Sequence, residues 1–470
     1  MKTYKIYAGG EFIETENSFN VENPFNNEVI AKTFLAGEKE LEMAIEKGLQ
    51  AEEVMKNLPS YKKYEILMQI VSELRQNKEY LSTILSQEAA KPMIYALGEI
   101  ERAAQTFTIA AEESKRLPKE YVSLDWSAAG TGKEGFIKHF PIGLMAGIAP
   151  FNFPLNLAVH KIAPAIAAGN PIILKPSRST PLSTLELAKI IDKTDLPKGA
   201  LSILPMDRQS GNMLVTDPRF KLLSFTGSPA VGWKMKAEAG KKKVLLELGG
   251  NAGMYISENV NLENAIKRSL VGAFAYSGQV CIHAQRIYVH QNIFNKFIEQ
   301  FAEATSNLKF GIPTNPNTEI SSMIDENNAK RVEAWVNEAV SDGAKIVYGG
   351  KRNGTYFEPT ILTDTKNQMK VCALEVFGPV VNIEKVESIE EAVEQINNSQ
   401  FGLQAGIFTD SISEMKYSFE NLHVGGVIIN DIPTFRVDNM PYGGVKNSGF
   451  GREGVKYSIQ EMTEPKLMVL

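Results

Sequence analysis

PIGLMAGIAPFNFPLNLAVH, residues 141–160, is the stretch whose reading decides the fold. It holds no Asp, Glu, Lys or Arg over about the length of a membrane-spanning helix. Pro141, Pro150 and Pro154 interrupt it, with Asn152 and Asn156 between and beyond them. Proline lacks the amide proton and clashes with the preceding helical turn, so a continuous helix is disfavoured. The stretch reads as a buried strand followed by a turn, and no membrane partner is expected.

Working outward, apolar strand candidates at 143–149, 171–175, 200–204, 222–226 and 244–248 alternate with amphipathic helical segments. That alternation predicts an α/β fold with a parallel sheet wound on both faces. Such sheets bind ligands beyond the carboxyl ends of their strands, here the loops after Ala149, Lys175, Thr226 and Leu248. Upstream, residues 5–36 read as short strands and turns. Helical periodicity then places Leu41, Ile45 and Leu49 on one face, and Tyr64, Leu67, Val71 and Leu74 on another. A third helical run, 93–114, carries Arg102, which by pattern alone reads as a solvated side chain. Residues 118–135, centred on Gly130-Thr131-Gly132, read as an extended hairpin or arm. A second α/β half runs from 251 to about 422 and opens with the helix that delivers Cys281.

At 470 residues the chain exceeds one simple core, so two or three domains are expected. With 50 basic against 55 acidic residues and a net charge of −5, a nucleic-acid or anionic-membrane surface is not the expected partner. Two cysteines make no disulfide framework and suit a reducing, cytoplasmic setting with a free thiol. No metal site is expected.

Gly278-Gln279-Val280-Cys281 places one of those thiols just past a run of small apolar residues, where it is either core filler or a nucleophile. Glu247 closes the apolar run Val244-Leu245-Leu246 and is followed by Gly249-Gly250. Burial there should raise its pKa and suit it to take a proton near neutral pH. Asn152 is a neutral donor of the kind that stabilises a developing oxyanion, or a turn-forming residue beside prolines. Residues 225–232, Phe-Thr-Gly-Ser-Pro-Ala-Val-Gly, put glycines and a hydroxyl where a strand passes into a helix, a place where backbone amides hold pyrophosphate.

These segments, with Glu375-Val376-Phe377-Gly378-Pro379, resemble the signature set of the NAD(P)-dependent aldehyde dehydrogenase superfamily, in its order and spacing over nearly the whole chain. Glu99-Ile100-Glu101-Arg102, His160 and the stretch from Phe435 to Gly444 further resemble its branch of lactaldehyde dehydrogenase-like and non-phosphorylating glyceraldehyde-3-phosphate dehydrogenase-like enzymes. The resemblance implies a Rossmann-type cofactor domain (1–117 and 140–247), a catalytic domain (248–445), and a β-hairpin arm with tail for oligomerisation (118–139 and 446–470). It implies Cys281, Glu247 and Asn152 as catalytic residues. For NAD or NADP it implies Ile148, Ala149, Pro150, Phe151, Lys175, Ser177, Arg178, Gly211, Phe225, Thr226, Gly227, Ser228, Val231, Gly232, Leu248, Gly249, Glu375 and Phe377.

Arg178 stands three beyond Lys175 where a ribose-chelating Glu is frequent, which predicts that NADP is accepted or preferred. Arg102, Asn156, His160 and Arg436 are the implied substrate residues, for a small aldehyde bearing an α-hydroxyl or an anion: lactaldehyde-like, phosphonate or sulfonate. The implied chemistry oxidises it to the carboxylate through a thiohemiacetal and a thioester in a homo-oligomer, dimer or tetramer. A CoA-acylating aldehyde dehydrogenase and a non-catalytic relative are the alternatives; Glu247 argues against the first and Cys281 against the second. Arg286 reads as structural, and His283 receives no role.

Overall fold

The computed structural model describes residues 1–470. Five parallel strands form the centre of an eight-stranded sheet, in the spatial order Lys243–Glu247, Leu222–Thr226, Met145–Ile148, Ile172–Lys175 and Leu201–Ile203. Each falls within a residue of a strand read from the sequence, or inside it. Antiparallel strands close both edges: Gly449–Phe450 on one side, Ile6–Ala8 and Glu11–Ile13 on the other. Ile172 and Leu174 enter one apolar core and Ile173 the opposite one, the alternation required of a sheet covered on both faces.

Residues 141–160 do become a buried strand and a turn, and then more than was read from them. After Met145–Ile148 and the bend at 151–153, a helix runs Pro154–Ala168 with proline in its first turn, where the missing amide costs nothing. All fifteen of its residues are buried. It packs beneath the helices Met93–Ser114 and Val455–Glu461, which is why it could dispense with a charged face. No helix of the structure is long and apolar enough to cross a membrane.

A seven-stranded sheet forms the second half, in the order Lys345–Tyr348, Thr360–Thr363, Val380–Val386, Arg286–His290, Gly253–Ile256, Gln404–Phe408 and Gly426–Ile429, parallel except for its first strand. The arm is a three-stranded antiparallel sheet of Lys119–Ser123, Glu134–Pro141 and Thr463–Val469. Of residues 446–470 only that last strand joins the arm. Gly449–Phe450 pairs with Lys243–Glu247, and Val455, Ile459 and Met462 fill the core of the first half. The periodicity erred at Leu49, which is 38% exposed; Gly48, Ala51 and Met55 complete that buried face instead.

Candidate active site

The helix Leu262–Phe274 ends in a short 3-10 turn, Ala275–Gly278, that carries the chain to Cys281. Tyr276, Ser277 and Gly278 have φ of 50°, 54° and 67°, three successive residues in the left-handed region that side chains disfavour. Tertiary hydrogen bonds hold them there. The Tyr276 hydroxyl donates to the Ala89 carbonyl (2.9 Å), and that of Ser277 to the Ser321 carbonyl (2.7 Å). The Gln279 side-chain oxygen accepts from the Ile324 amide at 2.9 Å. Gly278 is required here: a Cβ would lie 2.1 Å from the Gly378 carbonyl oxygen. The cysteine loop and the Glu375 loop are thus keyed together by backbone contact.

The Asn152 Nδ2 donates to the Gln279 carbonyl at 3.0 Å, tying the amide to the same loop and leaving its second N–H for another acceptor. Its backbone carbonyl accepts from Lys91 Nζ at 2.5 Å. Lys91 is fully buried, forms an ion pair with Glu99, and lies over the rings of Phe153 (3.8 Å) and Tyr276 (4.4 Å). Glu99 also accepts from the amides of Leu155 (3.0 Å) and Asn156 (3.1 Å) at the start of the buried helix. One buried ion pair therefore fixes Asn152, the helix N-terminus and the cysteine loop together.

A cavity of about 420 Å³ joins Asn152, Glu247 and Cys281 to Pro150, Phe151, Thr226, Gly227, Ser228, Leu248, Gly249, Glu375 and Phe377. The Phe151 and Phe377 rings meet edge to face, 5.8 Å between centroids, and Arg331 and Trp335 line the cavity as well. The residues fit a dinucleotide. The helix Pro229–Glu238 opens at Ser228, whose side chain makes no cap, so its first amides are available to an anion. A Cβ on Gly227 would strike the Phe225 ring at 2.5 Å, and one on Gly232 would strike Leu248 at 2.4 Å, so both keep the sheet-to-helix junction close. Glu375, buried and pushed up to about 7 by desolvation, accepts from the Gly250 amide at 3.0 Å.

Ile148, Ala149 and Phe225 belong to the apolar cores behind this surface, while Val231 lies on the exposed side of the helix. Lys175 packs on Gly211, where a Cβ would meet its Cε at 2.8 Å, and burial lowers its pKa. Ser177 is half-buried, and the exposed Arg178 sets its guanidinium over the Phe19 ring at 5.1 Å.

Burial pushes the Cys281 thiol up to about 11 against the pull of the Tyr442 hydroxyl and Arg436. Glu247 is held well above its ordinary value, first by burial and then by the charge of Glu453; its Oε2 has no hydrogen-bond partner. Burial thus favours the uncharged form of each group.

On the far side of the thiol, Cys281 Sγ lies 3.3 Å from the Tyr442 hydroxyl, and the Arg436 guanidinium lies 3.5 Å over the Tyr442 ring. Arg436 donates to His160 Nδ1 at 2.9 Å, and His160 Nε2 lies 2.8 Å from Asp438, which in turn pairs with Arg102 at 3.0 Å. Asn156 Nδ2 is 3.2 Å from His160 one helical turn away. Arg102, Asn156, His160 and Arg436 thus converge in one cluster that reaches the thiol through Tyr442, from segments more than 300 residues apart in the extreme pair. Arg102 corrects the solvated-face reading, since its side chain is 34% exposed and its guanidinium is bound to Asp438.

The sequence profile of the Aldehyde dehydrogenase family matches residues 12–468. The chain belongs to the aldehyde dehydrogenase family. Among its relatives, 3-sulfolactaldehyde dehydrogenase of Priestia aryabhattai is 41% identical over 100% of this chain and 98% of its own. The structure superposes on aldehyde dehydrogenase 21 of Physcomitrella patens, solved with the reaction product succinate, at a TM-score of 0.98 and 44% identity (100% and 98% of the chains). It also superposes on glyceraldehyde-3-phosphate dehydrogenase GapN of Methanocaldococcus jannaschii, complexed with NADP, at 0.93 and 39% (97% and 100%). The fold is that of an aldehyde dehydrogenase, and the enzyme oxidises an aldehyde to the carboxylate with NAD(P)+.

Several residues around this dehydrogenase site carried no sequence signal. Lys161 Nζ, fully buried, donates to Thr226 Oγ1 (2.7 Å) and pairs with Glu453 (3.2 Å), within the electrostatic reach of Glu247. Lys91 and Arg331 gave no signal either, whereas Asp438 and Tyr442 lie inside the stretch Phe435 to Gly444 without having been given a role; the charge of Lys161 inside an otherwise apolar run is the one further cue. Arg286 does act structurally, donating to the carbonyls of Asn251, Gln395 and Ile396.

Proposed function

We propose that this aldehyde dehydrogenase acts on a short aldehyde carrying an α-hydroxyl or an anionic end, of the lactaldehyde, phosphonate-aldehyde or sulfonate-aldehyde kind. The observation that carries the reading is the unbroken chain of contacts from Cys281 through Tyr442 and Arg436 to His160, Asp438 and Arg102. It sets the Arg436 guanidinium one tyrosine ring from the nucleophile, which suits a substrate of few carbons. The sulfonated, succinate and glyceraldehyde-3-phosphate names of its relatives support the same class.

In this reading Cys281 attacks the aldehyde carbon and gives its proton to water as it does so, because desolvation disfavours a resting thiolate. Asn152 and the backbone amide of Cys281 stabilise the oxyanion of the thiohemiacetal. NAD(P)+ held along Phe151, Gly249, Glu375 and Phe377 would supply the acceptor for the hydride of that carbon, after which Cys281 carries a thioester. Glu247 then takes a proton from the water that attacks the thioester, and the carboxylic acid leaves as the thiol is restored. A Glu247 in the cavity wall favours water over CoA as the acyl acceptor.

The ribose ends of the cofactor would be held by Lys175 and Glu375, the pyrophosphate by residues 227–232, and a 2′-phosphate by Arg178, giving a preference for NADP. We also propose a cytoplasmic enzyme, consistent with its need for a free thiol. Homo-oligomerisation through the arm is supported by exposed Tyr121, Phe136, Leu467 and Met468. The domain division read from the sequence is retained as part of this proposal, with residues 446–462 assigned to the first half instead of the arm.

A steady-state panel with each cofactor tests the reading. Higher kcat/KM for lactaldehyde, 3-sulfolactaldehyde or succinic semialdehyde than for long alkyl and aromatic aldehydes supports it; the reverse order overturns it.

A further inference from the structure

Tyr442 touches the reacting sulfur, and the steps assigned to Cys281, Asn152 and Glu247 leave it without a task. Its hydroxyl lies 3.3 Å from Cys281 Sγ and makes no other hydrogen bond. The Tyr442 amide donates to the Glu453 carbonyl at 3.0 Å, and its carbonyl accepts from the Glu453 amide at 2.6 Å. The Arg436 guanidinium covers its ring at 3.5 Å. At 2% exposure the side chain is held in one place and cut off from bulk water.

A sulfur in this position needs a donor. Attack on an aldehyde requires the thiolate, and burial works against it, as do Glu247 and Glu375 on the cavity side; Arg436 favours it from behind the tyrosine. A hydrogen bond to a charged acceptor is about twice as strong as one to a neutral acceptor, so a phenol facing the sulfur binds it more tightly as the thiol proton departs. Of the two groups the thiol is ordinarily the stronger acid, and burial with the facing Cys281 pushes the phenol up as well. The proton kept between them is therefore the phenol's.

We propose that Tyr442 is a further catalytic residue: its O–H donates to the Cys281 sulfur whenever that sulfur carries negative charge, before it attacks the aldehyde and again as it leaves the acyl carbon. The inference rests on the reading of Cys281 as the nucleophile and deepens it. In the first step the S–H proton passes to water, the electron pair of that bond stays on sulfur and forms the C–S bond, and the phenol keeps its own proton. In the last step the pair of the C–S bond returns to sulfur, and the same O–H holds the thiolate until it regains a proton from water.

The test is alkylation by iodoacetamide of the full-length enzyme without substrate, followed over pH by mass spectrometry of the Cys281 peptide. Cys281 lines the active-site cavity, where the reagent can reach it, and the buried Cys372 is scored on its own peptide. Tyr442→Phe keeps the ring and every charged group, so no assignment of charge to His160, Glu247 or Arg452 enters the comparison. Below the thiol's inflection the rate rises about tenfold per pH unit, and the variant's curve should lie about one unit to the alkaline side, a rate about tenfold lower at equal pH. Turnover of succinic semialdehyde should fall by a similar factor while KM changes less than about twofold, because the hydroxyl touches the sulfur. Should the Phe variant not fold, Tyr442→Met, which also lacks a hydroxyl, takes its place and should show the same slowing.

Alkylation curves that coincide, while modification of Cys281 still abolishes turnover, overturn the role of Tyr442 and leave Cys281 as the nucleophile. Turnover that survives complete alkylation of Cys281 overturns the nucleophile itself and this inference with it.

Discussion

The two sides of the active-site cavity are built by different means. The cofactor side is a matter of backbone: strand ends, a helix start at Ser228, and the glycines 227, 232, 249 and 250, whose lack of a side chain lets chain meet chain. The substrate side is a matter of side chains, with Arg102, His160, Arg436, Asp438 and Glu453 arriving from a helix of the first half, the buried helix, and the loops near the C-terminus. Backbone geometry is local and tolerates exchange of the residues around it. A buried charge cluster is non-local, and each of its members depends on the rest.

Changes at the meeting point of the two sides should be the most severe. Cys281→Ala should lower turnover by roughly 10⁴-fold or more while circular dichroism and cofactor binding stay unchanged. Asn152→Ala should cost kcat about 10²–10³-fold, the usual loss for one oxyanion donor. The substrate side comes next. Arg436→Lys removes the planar fork that reaches His160 and Glu453, and should cut kcat/KM for anionic aldehydes about 10- to 100-fold while affecting propanal less.

The cofactor side should be gentler, and its effects should show in binding and stability. Glu375→Gln should weaken the NAD(P) Kd about tenfold, the loss of one charge-assisted contact. The same variant should be spared a loss of stability that the wild type suffers as the pH rises. The folded protein keeps the Glu375 proton up to about 7 whereas the unfolded chain releases it near 4.5, so the wild type loses stability through that window and the variant does not. The difference in Tm between them should therefore widen from about pH 5 to about pH 8. Arg178→Glu is expected to be the smallest change, a shift of a few-fold from NADP toward NAD, because Arg178 is exposed and its guanidinium stacks on Phe19. An Arg178→Glu effect larger than that of Arg436→Lys would break the contrast.

The same division explains what could be read from the sequence. Strand and helix periodicities report local burial, and the parallel sheet, the arm and the helix of residues 93–114 followed from them. The glycine motifs marked the cofactor side through their resemblance to the family's pattern, since glycine alone is common wherever a strand turns. Leu49 misled because helical spacing names a face without saying where the core ends. On the substrate side, Asp438 and Glu453 look like ordinary surface acids until the fold sets them against Arg102 and Lys161. The buried helix hid its own beginning, since Pro154 reads as a breaker until it is seen in the first turn.

The central claim is that the thiol of Cys281 carries the acyl group, between a cofactor on one side and an anion-holding cluster on the other. Incubating Glu247→Gln with NADP+ and succinic semialdehyde, quenching in acid and mapping the peptides by mass spectrometry tests it directly. The account predicts one succinyl group per chain on the peptide containing Cys281, together with a burst of reduced cofactor. An unmodified Cys281, or an acyl group found on Cys372 instead, would contradict it.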